Sequence, residues 1–235
     1  MRYLFLHAHP DDETLSTGAI IVALRAAGHV PLVLTATRGE RGEVVPGSLS
    51  AGPAPLDLAG IRAAERVTAL AALGATDAGW LGAGSNRTPG QAPRRYRDSG
   101  MVWVTPTLAG PAPDAPADCL TRADPDEIVA DVAAAATFWQ ADALVSYNQA
   151  GGYGHPDHVR CHEAARAAGV RLGLPAYEIT DDHAGEWYEA GDGAPAVLAA
   201  HRAYRTQFTV DGDRVIHVGG QVEQIRYAGG WVHGV

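Results

Sequence analysis

Short apolar runs alternate with helix-like runs along most of this chain, and no other feature restricts its fold as much. Residues 3–8, 30–35, 79–81 and 143–147 are apolar stretches too short for buried helices and well suited to buried strands. Residues 13–27, 58–73, 126–139 and 156–168 have helical character. Leu15, Ile20, Ile21 and Leu24 share one face of the first, and Gly28, Gly74 and Gly169 supply stops. Strands apolar throughout, alternating with helices, predict an α/β fold: a Rossmann-like, mostly parallel sheet covered by helices on both faces. A chain of 235 residues is expected to form a single domain, 1–235, with an α/β core at 1–175 and a C-terminal helix and strands at 176–235. In the latter part, 195–207 reads as helix. Residues 214–218 and 222–227 read as strands flanking Gly219-Gly220, a small terminal hairpin. Residues 45–57 and 82–123 are rich in Gly, Pro, Ser and Asp and read as ordered loops over one edge of the sheet.

Two of the strand-to-helix junctions carry the same chemistry: His9-Pro10-Asp11-Asp12-Glu13 and His155-Pro156-Asp157-His158. The carboxyl edge of an open α/β sheet is where ligands bind. Neutral imidazole and carboxylate together suit a zinc ion that keeps one position for water, so the pair implies metal-dependent hydrolysis. His9 and Asp12 can converge across their turn, because Pro10 biases His9 away from helix. Asp11, pointing elsewhere, is the candidate general base. Capping of the helix by Asp11 or Asp12 is the plainer alternative. In the second segment Pro156 opens a helix and His155 and His158 straddle its start, so one can be a ligand while the other faces substrate. Asp157 is placed to orient a histidine. His162, four residues beyond His158, is expected at the surface or behind the ligands. His7 is expected in the core with a backbone hydrogen bond.

Composition removes several alternatives. The net charge is −9, with no basic cluster interleaved with aromatics, so nucleic acid is not expected as a partner. All 18 basic residues are arginine, which excludes Schiff-base lysine chemistry and a Walker-type phosphate loop. No run approaches the roughly 20 apolar residues of a membrane-spanning helix, and none resembles a secretory leader. Cys119 and Cys161 are expected as reduced thiols, and the location as cytoplasmic. The first strand is not followed by the glycine fingerprint of a dinucleotide-binding domain.

At Ala8-His9-Pro10-Asp11-Asp12-Glu13 and Gly154-His155-Pro156-Asp157-His158 the chain resembles the LmbE-like, or PIG-L-like, zinc-dependent N-deacetylases. The likeness extends over most of residues 1–170, with a weaker match at 201–207. It is nearest to the branch that deacetylates glucosaminyl precursors of mycothiol or bacillithiol, through Thr37 to Val44, Arg62 with Glu65, Arg97 to Met101, and Tyr147 to His158.

The resemblance implies that His9, Asp12 and His158 bind one zinc per chain, with iron(II) an alternative at such donors. It implies Asp11 as general base. It implies a protonated His155, steadied by Asp157, as electrophilic or acid partner, and Tyr153 polarising the amide carbonyl. Arg62 and Asp98 are implied to hold sugar hydroxyls, with Glu40 lining the pocket. The implied partner is a small sugar amide, and a homo-oligomer is compatible. The segment after the second motif is shorter than in the mycothiol enzymes, which puts an inositol-linked substrate in question. Rival substrates are mycothiol conjugates, acylated antibiotics and chitooligosaccharides. A catalytically inactive zinc- or sugar-binding protein is the reading outside enzymology.

Overall fold

The computed structural model describes residues 1–49 and 57–234, so residues 50–56 of the first expected loop lie outside the described residues. The chain opens with β1 (Arg2–His7), α1 (Asp12–Ala26), β2 (Val30–Thr35), α2 (Leu58–Leu73) and β3 (Ala78–Trp80). A hairpin follows, β4 (Met101–Thr105) with β5 (Leu108–Pro111), then α3 (Pro125–Phe138) and β6 (Ala143–Ser146). The glycine-rich turn α4 (Gly151–Gly154) leads into α5 (Pro156–Leu172) and β7 (Ala176–Thr180). The rest is β8 (Glu186–Glu189), α6 (Ala194–Ala203), β9 (Phe208–Asp211), β10 (Arg214–His217), β11 (Val222–Gln224) and β12 (Ala228–His233).

Seven strands form the main sheet in the order β3-β2-β1-β6-β7-β12-β8, parallel from β3 to β7 and antiparallel around β12. Side chains alternate across it. Tyr3 and Phe5 pack into one core with α1, α2 and α6, while Leu4 and Leu6 pack into the other with α3 and α5. That period of two explains why β1 is apolar at every position from Tyr3 to Leu6. Each fully buried leucine or phenylalanine contributes about 1.5–3 kcal/mol relative to exposure.

The structure departs from the sequence reading in several places. The stop expected at Gly169 fails: α5 runs through that residue and ends at Gly173, whose φ is +68°. A Cβ on Gly169 would sit 3.0 Å from the Leu174 carbonyl oxygen and 3.3 Å from the Ala176 Cβ, so this glycine marks a close approach inside the helix rather than its stop. The stretch 82–123 contains the β4–β5 hairpin as well as loop. Beyond residue 175 the expected β10–β11 hairpin is present but gains β9, and β7, β8 and β12 join the main sheet.

Strand order reverses between β1 and β6: the chain moves outward from β1 to β2 and β3, then returns to the other side of β1 with β6 and β7. A crevice at the carboxyl ends of the strands is expected at such a switch point. His9 follows β1 and His155 follows β6, so both His-Pro-Asp segments meet there.

Candidate metal centre

At the first junction neither aspartate acts as a simple cap. Asp11 occupies the capping position of α1 but its side chain makes no capping bond. Asp12 turns back, and its Oδ2 accepts the His9 N–H at 2.8 Å. Asp11 adopts φ +119° and ψ −31°, a backbone state that costs a non-glycine residue on the order of 1–3 kcal/mol. At the second junction Pro156 begins α5, and His155 caps it, with its Nδ1 accepting the Asp157 N–H at 3.1 Å.

These turns gather a buried set of imidazoles and carboxylates. Asp12 spans two histidines, Oδ2 lying 3.2 Å from His9 Nδ1 and Oδ1 lying 3.3 Å from His158 Nε2. His9 Nε2 faces Asp157 Oδ2 at 3.2 Å and Asp98 Oδ1 at 3.8 Å. Donor atoms of His9, His155 and His158 lie within 4.8 Å of one another, as do those of His9, Asp98 and Asp157. The set suits a divalent cation for two reasons. His158 Nε2 is buried and faces Asp12 Oδ1 at 3.3 Å without the geometry of a hydrogen bond, so its lone pair or proton is left for another group. Burial alone would lower the His9 pKa, yet the Asp12, Asp157 and Asp98 carboxylates hold it well above its ordinary value, so the cluster favours positive charge at its centre. Burial would likewise raise Asp12, but His158 and His9 hold it well below the usual carboxylate range, which keeps it ionised as a ligand must be.

Asp11 behaves differently. Burial and the adjacent Asp12 charge push its pKa well up, against the pull of Arg62 and His9. A carboxyl tuned upward in this way suits proton transfer near neutral pH. His155 is pushed down to about 2 by burial and by the neighbouring His9 and His158 rings. Since its Nδ1 accepts a hydrogen bond, the neutral ring carries its proton on Nε2. Burial thus favours a neutral Nε2–H donor over the imidazolium that the resemblance implies. The expected Asp157–His155 support is corrected too. The Asp157 carboxylate accepts from the Ser99 N–H and hydroxyl and faces His9, so it orients His9 and touches His155 only through its own N–H.

Two supporting residues carried no role in the sequence reading. Ser99 anchors Asp157, and Tyr147 stacks on His158 with ring centroids 4.0 Å apart. The Tyr147 hydroxyl accepts the Ala8 N–H at 2.9 Å and hydrogen-bonds Asp12. Both residues lay inside the quoted Arg97–Met101 and Tyr147–His158 segments, which was the only signal for them. Of the two places expected for His162, the structure gives the one behind the ligands: it is buried, its Nδ1 pairing with the carbonyl of Tyr147 at 3.0 Å. His7 is in the core as expected, but its Nε2 pairs with the Thr17 hydroxyl at 3.0 Å rather than with backbone.

The cluster opens into a cavity of about 830 Å³, within the range of small-molecule sites. Tyr153 lines it at 43% exposure, tilted against Trp103 at 5.6 Å and edge-on to His158 at 5.4 Å. Gly154 allows this turn: at φ +90° a Cβ there would lie 2.7 Å from Leu108 Cδ1. Arg62 and Asp98 also line the cavity. The Arg62 terminal nitrogens donate to the Gly39 and Glu43 carbonyls, and Asp98 accepts from the Arg41 and Gly100 N–H groups. Glu40 does not line the cavity, contrary to expectation. Its two oxygens are taken by the Arg95 guanidinium and by the Arg38 and Asp98 N–H groups, so it braces the loop that carries Asp98. The opposite wall comes from the C-terminal strands and their turns, through Ile179, Asp181, His217, Glu223 and Arg226.

Comparison with known proteins bears on this arrangement. The family model described as PIG-L, GlcNAc-PI de-N-acetylase, matches residues 4–169. A Kineococcus radiotolerans protein named 1D-myo-inositol 2-acetamido-2-deoxy-alpha-D-glucopyranoside deacetylase is 46% identical over 163 residues, covering 69% of this chain and 43% of its own. A Saccharopolyspora erythraea protein of the same name, numbered 1, is 39% identical over 173 residues, covering 73% and 54%. The chain thus spans about half the length of these curated relatives. Among solved structures, a deacetylase–teicoplanin complex superposes with a TM-score of 0.58 at 17% identity, covering 87% of each chain, and supports the fold. Among the described residues no helix is long and apolar enough to cross a membrane.

Proposed function

Because the chain belongs to the PIG-L, or GlcNAc-PI de-N-acetylase, family, we propose that it is a zinc-dependent hydrolase that removes the N-acetyl group from an N-acetylglucosaminyl precursor of a low-molecular-weight thiol. The observation that carries this reading is the juxtaposition of the buried His9–Asp12–His158 set with Asp11, a second carboxyl tuned in the opposite direction. In this reading His9, Asp12 and His158 hold one zinc ion. Asp157 fixes the far nitrogen of His9, as outer carboxylates do for ligating histidines. Iron(II) suits the same donors, and metal analysis of the purified protein separates the two. The bound ion supplies a water acidic enough to attack at neutral pH and draws electron density from the amide carbonyl.

The chain's own residues do the rest. Asp11 takes a proton from the attacking water as the C–O bond forms. The Nε2–H of His155 donates to the carbonyl oxygen as charge builds there; one such donor is worth about 3–4 kcal/mol. Tyr153 is a second donor: though its ring is partly exposed, desolvation of the phenol in the cavity and the Asp12 and Asp11 charges keep it protonated. A neutral His155 has no acidic proton to give, so Asp11 returns its proton to the amine nitrogen as the C–N bond breaks, releasing acetate and the free amine. Asp98 and the face of Arg62 turned to the cavity hold sugar hydroxyls. The two cysteines are free and buried, which accords with a reducing, cytoplasmic location.

Charge favours one substrate branch over another. Arg62 and Arg226 are the only arginines among the described residues that line the cavity. Arg62 is committed to loop carbonyls and Arg226 to Asp181, while Glu223 adds a carboxylate beside His217 at 3.0 Å. Neither arginine offers free terminal guanidinium N–H groups to an anionic aglycone, and the Glu223 carboxylate opposes one by like charge. An uncharged inositol aglycone, as in the relatives' name, therefore suits the wall better than malate. Amine release from N-acetylglucosaminyl-inositol and N-acetylglucosaminyl-malate, assayed side by side, tests this. The inositol compound is expected to give a kcat/KM at least about tenfold higher. Equal or reversed rates would reject the charge argument, and release from neither would reject the thiol-precursor substrate.

A further inference from the structure

The turn that presents Asp11 is held by residues far away in sequence. Asp11 and Gln140 are the only non-glycine residues at positive φ among the described residues. A backbone state of this kind persists only where its surroundings over-determine it. Here the peptide unit joining Pro10 to Asp11 is gripped at both ends. Its carbonyl oxygen accepts from Gln207 Nε2 at 2.7 Å. Its N–H donates to Glu13 Oε2 at 3.3 Å. Glu13 is fully buried, and its other oxygen accepts the Tyr204 hydroxyl and the Thr14 hydroxyl, the latter at 2.9 Å. Just beyond the clamp, the Asp11 carbonyl accepts the Thr14 and Leu15 N–H groups, each at 2.9 Å, which begins α1.

Tyr204 and Gln207 lie immediately after α6, where residues 195–207 were expected to be helix throughout. The helix stops at Ala203, and the segment from Tyr204 to Gln207 descends onto the first strand-to-helix turn instead. A buried carboxylate is costly unless it is paired and hydrogen-bonded. A residue needed only for packing would avoid that cost, whereas the Glu13 carboxyl is engaged by one backbone N–H, one phenol and the Thr14 hydroxyl. Tyr204 is fully buried and cannot reach a substrate.

We propose that Glu13, Tyr204 and Gln207 are positioning residues, a clamp on the Pro10–Asp11 peptide that sets the aim of the Asp11 carboxylate. Its catalytic consequence rests on the reading of Asp11 as general base. A misaimed base slows proton transfer without weakening ground-state binding, so the loss falls on kcat.

The test uses Tyr204→Phe, which keeps the ring and deletes only the hydroxyl, together with Glu13→Gln and the double variant. kcat, KM, bound zinc and thermal midpoint are measured for each, and the structure of Tyr204→Phe is determined. Each single variant is expected to lower kcat about tenfold or more, with KM within about twofold and zinc content unchanged. The double variant should be little worse than Glu13→Gln alone, because both act through one linkage. In the Tyr204→Phe structure the Asp11 backbone should leave its positive-φ state. Unchanged kcat in both single variants, or zinc lost in step with activity, would overturn the clamp. If the wild-type protein deacetylates nothing, the reading of Asp11 falls but the clamp is still judged by that structure: an Asp11 backbone unmoved in Tyr204→Phe overturns it.

Discussion

Asp11→Asn should bind its zinc and its substrate and turn over about a thousandfold more slowly than the wild type, within the range that removal of a general acid–base group produces. The expectation follows from the division of labour between adjacent carboxylates. Asp12 is held ionised by His158 and His9 against its burial, whereas burial and the Asp12 charge push Asp11 up. Asparagine keeps the size of the side chain and cannot accept the proton from water. It also leaves the Pro10 carbonyl and the Asp11 N–H free to keep their partners. Steady-state kinetics with metal analysis on the same sample checks this: KM and zinc should stay near wild type while kcat collapses. The wild-type pH profile gives a second reading of the same group. The base must be deprotonated to act, and its pKa is raised. The acid limb of kcat/KM should therefore lie above the value of about 4 for an ordinary aspartate, with activity lost as pH falls through it.

The other large effect is expected at the ligands. Asp12→Ala removes the carboxylate that faces both His9 and His158 and leaves His9 Nδ1 and His158 Nε2 without that partner. This variant should purify with little zinc and show no measurable deacetylation. Asp157→Asn is a milder lesion. It weakens the support of His9 but leaves the donors in place, so zinc affinity should fall about 10–100-fold, with activity restored by added zinc. Metal content measured across a zinc titration distinguishes the two. Full zinc binding by Asp12→Ala would mean that the ion uses one of the other clusters around His9, namely His9–His155–His158 or His9–Asp98–Asp157.

The parallel strands and their helices were legible because each has a strong local pattern. β1, with Tyr3 and Phe5 facing one core and Leu4 and Leu6 the other, shows it most clearly. β12 was not legible. Its Ala228-Gly229-Gly230-Trp231 has the wrong composition for an isolated strand. One of the glycines is needed by its neighbour: a Cβ on Gly230 would lie 2.5 Å from the Glu186 carbonyl oxygen. The site divides in the same way. His9, Asp11, Asp12, His155 and His158 sit in two short motifs whose chemistry can be read locally. Ser99, Tyr147, Tyr204 and Gln207 take their roles from partners that only the folded sheet brings near. The direction of the Asp157 carboxylate, towards His9 rather than His155, also depends on that long-range packing, as does the engagement of Glu40 by Arg95 and the Asp98 loop.

The central claim is that one ion at His9, Asp12 and His158, beside Asp11, hydrolyses an N-acetylglucosaminyl amide. Its most direct test is to strip the purified protein of metal, titrate zinc back, and follow bound zinc and amine release from N-acetylglucosaminyl-inositol in the same samples. Release should rise in step with the first bound zinc and stop rising when that site is full, and chelation should abolish it. Release that survives complete removal of metal, or a filled site that releases no amine, would contradict the account.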